Sequence, residues 1–109
     1  MIRVTVIRRN DSLAGFRSEG HAGYADEGYD IICAAVSALM INCVNSVEKY
    51  TRDRVVADEH SGYLSCSFPD GLSADGELLV NSMLDGLEMI SGTTDRDGKP
   101  FLQIVFEVD

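Results

Sequence analysis

The 109-residue sequence has no tryptophan, two prolines, two histidines and three cysteines. An odd cysteine count without a Cys-x-x-Cys pair argues against a disulfide framework and a zinc ribbon, and leaves at least one thiol free. Two histidines and scattered carboxylates give no metal-ligand spacing. No Gly-x-x-x-x-Gly-Lys-Ser/Thr phosphate loop occurs, so no cofactor and no metal are expected. Basic residues are scarce as well: 9 Lys and Arg stand against 18 Asp and Glu, a formal charge of −9. That charge repels a phosphate backbone and disfavours direct nucleic-acid binding. It suits a basic partner, or it serves only to keep a small domain soluble.

Internal repeats, low-complexity tracts, linkers and blocks of like charge are also lacking, and one domain spanning residues 1–109 is expected. The opening run Met1 to Arg9 alternates apolar and polar residues without the apolar core or small-residue cleavage site of a signal peptide. The longest apolar stretch, Ile31 to Val44, is interrupted by Ser37, Asn42 and Cys43. It falls short of the ~20 residues that a membrane span needs. A soluble, cytoplasmic protein with no membrane partner is the expectation.

Ile2, Val4 and Val6 share one face of a first strand, and Asn10-Asp11-Ser12 turns the chain into a second, Leu13 to Ala22. From Gly20 to Gly28 three glycines mark a loop of the kind that carries binding residues. Asp30 can cap a helix that runs from Ile31 to Tyr50, apolar enough up to Val44 to be buried on more than one side. Arg54–Asp58 and Tyr63–Phe68 read as a second hairpin around Ser61-Gly62. Ser73 or Asp75 then opens a helix with Leu79, Val80, Met83, Leu84, Leu87 and Ile90 at helical spacing, ending near Gly92. Leu102, Ile104, Phe106 and Val108 share one face of a last strand. The order β-β-α-β-β-α-β suits an α+β fold, a two-layer α/β sandwich with two helices on a small, mainly antiparallel sheet.

The chemistry is expected at Cys33. With Asp30 as the cap, Cys33 occupies the third helical position, where the helix dipole and unpaired backbone N–H groups favour a thiolate and an oxyanion. His21, at the end of the second strand, is the base that a glycine-rich loop can bring to the thiol. The plain alternative is a small core residue, because Cys33 lies among Ile31, Ile32, Ala34, Ala35 and Val36. That reading fits Cys43, inside the apolar helix, and Cys66, on a strand face with Leu64 and Phe68. His60, beside Glu59 and Ser61, reads as a solvated turn residue.

Gly20-His21-Ala22-Gly23 followed by Asp30-Ile31-Ile32-Cys33-Ala34-Ala35-Val36-Ser37, with histidine and cysteine 12 positions apart, resembles the ribosomal-processing cysteine protease family called Prp. The central stretch is specific, and length, acidity and element order extend the likeness to the whole chain. The resemblance implies a cytoplasmic, homodimeric cysteine endopeptidase that removes an N-terminal extension from the large-subunit ribosomal protein numbered twenty-seven during ribosome assembly. It implies His21 as base and Cys33 as nucleophile, with Asp30 and Ser37 matching the motif. Asp30 then orients His21 or only caps the helix. Ser37 donates a hydrogen bond near the site or bonds back to the Cys33 carbonyl. The segment Ala22, Gly23, Tyr24, Ala25, Asp26, Glu27 and Gly28 resembles the family's mobile substrate loop, with Tyr24 and Tyr29 placed to flank a peptide that is apolar and aromatic near the cut.

Two other classes compete. A non-enzymatic ribosome-associated assembly module predicts an inert, buried Cys33. A thiol redox sensor needs a resolving cysteine, and neither Cys43 nor Cys66 is expected to face Cys33.

Overall fold

A computed structural model describes residues 1–20, 27–60 and 62–109, with the backbone alone for 27–30. Seven elements follow one another: β1 (Ile2–Arg9), β2 (Ser12–Glu19), α1 (Glu27–Tyr50), β3 (Val56–His60), β4 (Tyr63–Ser67), α2 (Ala74–Ser91) and β5 (Leu102–Val108). This is the order that the apolar periodicities predict, and the class is α+β.

The β1–β2 turn is tighter than the sequence suggests. Asn10 and Asp11 hold φ values of 51° and 64°, the left-handed pair that a two-residue hairpin turn requires and that Asn and Asp tolerate best. Arg9 and Ser12 pair directly across it. β2 therefore begins at Ser12 and ends at Glu19; residues 21 and 22, the expected end of the strand, lie outside the described residues.

The strands lie in the order β3-β4-β2-β1-β5. All neighbours are antiparallel except β5, which runs parallel to β1. α2 carries the chain from β4 to the far edge of the sheet. The registers Val6↔Phe16, Phe16↔Cys66 and Ile2↔Leu102 set these residues on one face, where each is almost wholly buried. α1 lays Val36, Met40, Cys43, Val44 and Val47 on that face, and α2 adds Val80, Met83 and Leu87. Each such side chain contributes about 1.5–3 kcal/mol relative to an exposed one.

Three expectations need correction. α1 is buried along one stripe only: Ile31 is exposed, and Ile41, which lines a cleft, is partly so, because the core contacts of the helix come from Val36, Met40, Cys43, Val44 and Val47. On length and composition alone, the twenty residues Ile31–Tyr50 do suffice to cross a membrane; the polar interruptions are too weakly hydrophilic to shorten the apolar run. In this fold Val36, Met40, Cys43, Val44 and Val47 of that run pack into the core, and most of the remaining residues are exposed or half-buried. On β5, Leu102 is buried but Phe106 and Val108 are exposed, since the strand runs out beyond its helical cover.

The α2 start follows local chemistry. The Ser73 hydroxyl accepts the Gly76 N–H at 3.1 Å, and Asp53 accepts both the Ser73 N–H and its hydroxyl at 3.0 and 2.8 Å. Asp75 and Glu77 add charge that favours the positive helix end.

Candidate active site

A cleft of about 580 Å³ lies where the first half of α1 approaches the end of the sheet. Cys33, Ser37 and Met40 line it from α1, Gly20 from the exit of β2, and His60 and Tyr63 from the β3–β4 hairpin. Cys33 and Ser37 are four residues apart, so both present to one side of the helix.

Of the three free cysteines, Cys33 is the partly exposed one, and Cys43 and Cys66 are buried. Burial pushes the Cys43 thiol up to about 11. It pushes Cys66 up to about 12, with further contributions from the charges of Cys43 and Glu48. Desolvation penalises a thiolate at both positions. The Cys43 thiol also lies 3.9 Å from the Leu79 carbonyl oxygen, deep between the helices. The core reading therefore holds for these two, and Cys33 is set apart by its place in the cleft.

The local reason expected for Cys33 reactivity does not hold. α1 starts at Glu27, so Asp30 is its fourth residue, not its cap, and Cys33 its seventh. Glu27 is a good helix former and favours the positive end of the dipole, which lets the helix begin a turn earlier. Cys33 then lies about 9 Å along the axis from the first residue. Its own N–H belongs inside the helical ladder, beyond the first turn where the dipole acts.

Gly20 fixes how β2 leaves the sheet. Its φ is +96°, and a Cβ there would stand 2.5 Å from the Met1 carbonyl oxygen. Only glycine accommodates both the conformation and the approach. His21 and the loop residues Ala22, Gly23, Tyr24, Ala25 and Asp26 lie outside the described residues; so do the side chains of Glu27, Gly28, Tyr29 and Asp30.

The hairpin is the part of the site that the sequence left unread. His60 is solvent-exposed, as expected, but it ends β3 and lines the cleft instead of sitting in a turn. Its Nε2 lies 3.0 Å from an Asp58 carboxylate oxygen. Its ring stacks on Tyr63, the residue paired with it across the hairpin, at 5.9 Å between centroids and 21° between planes. Glu59 lines the cleft as well, its side chain on the opposite face of β3 from those of Asp58 and His60. The clue was the short spacing from His60 to Tyr63 around Gly62, but nothing in the sequence ties that turn to a helix formed some thirty residues earlier.

A comparison with protein families decides what such a cleft belongs to: the profile for "Cysteine protease Prp" matches residues 1–97. The chain belongs to the Prp family of cysteine proteases. It is thereby an enzyme, a thiol-dependent peptide-bond hydrolase, and the reading as a non-enzymatic module falls. The Prp ribosomal processing cysteine protease of Bacillus subtilis is 29% identical over 99% of both chains. That of Staphylococcus aureus is 30% identical over 66% of this chain and 70% of its own. Among solved structures, a Prp of S. aureus with a covalently linked product peptide gives a TM-score of 0.81 at 22% identity. The same protease with a substrate peptide gives 0.84 at 21%; each covers 98% of this chain and 100% of its own. A Streptococcus mutans protein gives 0.76 at 28% identity, covering 100% of this chain and 99% of its own.

Proposed function

We propose that this Prp family member is a cysteine endopeptidase that removes the N-terminal extension of the large-subunit ribosomal protein numbered twenty-seven, with Cys33 as nucleophile and His21 as base. The observation that carries the reading is that Cys33, alone among the three thiols, lines a cleft large enough for peptide side chains. Support for His21 comes from its neighbour Gly20, which lines that cleft too. Relatives named as ribosomal processing proteases, one of them captured with a covalently linked product peptide, support the substrate class.

In this reading His21 takes the thiol proton, and the Cys33 sulfur attacks the scissile carbonyl carbon. The tetrahedral adduct collapses as the C–N bond breaks, and the imidazolium returns its proton to the departing amine. Water, deprotonated by the same imidazole, then splits the thioester and releases the new carboxyl end. Ser37, one turn from Cys33, supplies a hydroxyl at the cleft, and Asp30 orients His21. The loop from Ala22 to Gly28, with Tyr24 and Tyr29, closes on the extended peptide. The enzyme acts in the cytoplasm, where ribosomes assemble, as a homodimer of 109-residue single-domain chains.

The test uses a peptide spanning the extension, incubated with the wild type and with Cys33→Ala and His21→Ala. Cleavage by the wild type alone, with both variants folded and still binding the peptide, is the expected result. Equal cleavage by Cys33→Ala would remove the dyad.

A further inference from the structure

The β3–β4 hairpin leaves a row of backbone polar groups open beside the cleft. The Phe68 N–H donates to the Ala14 carbonyl at 2.9 Å, in line with the β2–β4 register that pairs Phe16 with Cys66 and Ser18 with Leu64. A Cβ on Gly15 would meet the Cys66 carbonyl oxygen, which therefore also turns to β2. Backbone groups of successive residues point to opposite edges of a strand. Leu64, Cys66 and Phe68 thus face β2, whereas Tyr63, Ser65 and Ser67 face β3, where their partners are His60, Asp58 and Val56. The N–H and C=O groups of Ala57 and Glu59 point away from β4. β3 is the last strand of the sheet and all five of its residues are exposed. Among the described residues, Ala57 and Glu59 make no backbone hydrogen bond on that side. The open edge runs into the cleft, because Glu59 and His60 at its end line the same space as Cys33. A second copy of the chain is a poor occupant, since β3 laid against β3 sets Asp58 and Glu59 against like charges.

We propose that the free edge of β3 takes up an extended segment of the substrate peptide as an added strand, held by the backbone N–H and C=O groups of Ala57 and Glu59. Main-chain hydrogen bonds then recognise the extended conformation itself. Ala57 and Glu59 lie across from Cys66 and Leu64, and Cys66 is buried while Leu64 lines the cleft. Every second side chain of the added strand therefore turns to the helix side of the sheet, toward the apolar lining made by Met40 and Leu64. Whichever way the peptide runs, the N–H groups it donates to β3 belong to residues two apart. The proposal rests on the assignment of the Cys33 cleft as the active site.

The experiment replaces backbone amides of the peptide spanning the extension by esters, one at a time and away from the cut. Each ester deletes one N–H donor and keeps every side chain. Affinity for Cys33→Ala is read by fluorescence anisotropy, and kcat/KM is read with the wild type. Esters at two positions, two residues apart, should each weaken binding about fivefold, and the ester between them should not. Ala57→Pro, placed in both proteins, removes an N–H that β4 does not use and fills the edge with the proline ring. It should keep the native circular dichroism spectrum, weaken the all-amide peptide and erase the difference between amide and ester peptides. Absence of an ester-sensitive pair, or sensitivity that survives in folded Ala57→Pro, overturns the proposal. Unfolding of Ala57→Pro would show that its N–H belongs to the ladder, and overturns it as well. Cleavage by Cys33→Ala removes the active-site reading, whereas an inactive Cys33→Ala that binds all ester peptides alike removes the added strand alone.

Discussion

Cys33 and Cys43 lie 10 residues apart on α1 and meet opposite environments: the first lines the cleft, the second is buried against α2. At 100° per residue their side chains point about 80° apart around the helix axis, enough to separate an accessible thiol from a core residue.

Thiol labelling should follow that division. Iodoacetamide applied to the native protein near neutral pH is expected to modify Cys33 alone, and Cys43 and Cys66 should react only after denaturation. Mass spectrometry of the digested protein reads the sites. Native labelling of Cys66, held protonated up to about 12, would contradict its burial.

The same two core thiols should shape stability at high pH. Their folded pKa values, about 11 and about 12, lie above the ordinary value of 9.0. Below pH 9 both folded and unfolded chains keep these protons, so the stability is fully present there. Above pH 9 the unfolded chain releases them first, and stability falls by up to about 1.4 kcal/mol per pH unit for each thiol until the folded pKa is reached. Denaturant titrations from pH 8 to 11 should show a shallower decline in Cys66→Ala than in the wild type.

Gly20→Ala should damage activity more than its size suggests. The substitution forces a side chain to φ +96° and to within 2.5 Å of the Met1 carbonyl oxygen, at a cost of order 1–3 kcal/mol. The strain falls in the cleft wall next to His21. A folded variant with a lower melting temperature and a several-fold lower kcat/KM is expected; unaltered kinetics would show that the exit of β2 does not position the base.

Core and cap variants test the fold itself. Phe16→Ala removes a side chain that is 1% exposed and tilts against Phe68 at 6.0 Å, and should cost about 3–5 kcal/mol in chemical denaturation. Ser73→Ala removes the α2 cap and leaves Asp53 with the Ser73 N–H alone, for about 1 kcal/mol.

Much of this was legible along the chain because it is set by neighbours in sequence. Alternation in Ile2-Arg3-Val4-Thr5-Val6, helical spacing from Val80 to Leu87, and the Ser73 and Gly92 ends of α2 are local signals, and all reappear in the structure. The central motif around His21 and Cys33 pointed to the family that the chain proved to belong to. The start of α1 was misplaced because Asp30 is as good a cap as any, and no local rule prefers Glu27 over it.

Cys33 was thus identifiable as the thiol to watch from its motif alone, but a reason based on its position in the helix was wrong. What distinguishes it from Cys43 and Cys66 is which surface each reaches once α1 has packed on the sheet. The hairpin side of the cleft, with Glu59, His60 and Tyr63, was likewise beyond local reading. β4 pairs with β2, and that pairing, made between residues 44 to 52 positions apart, brings the hairpin to the helix. Local propensity acts over a few residues and writes the elements into the sequence. The cleft depends on long-range burial and strand register, which exist only when the whole chain is folded.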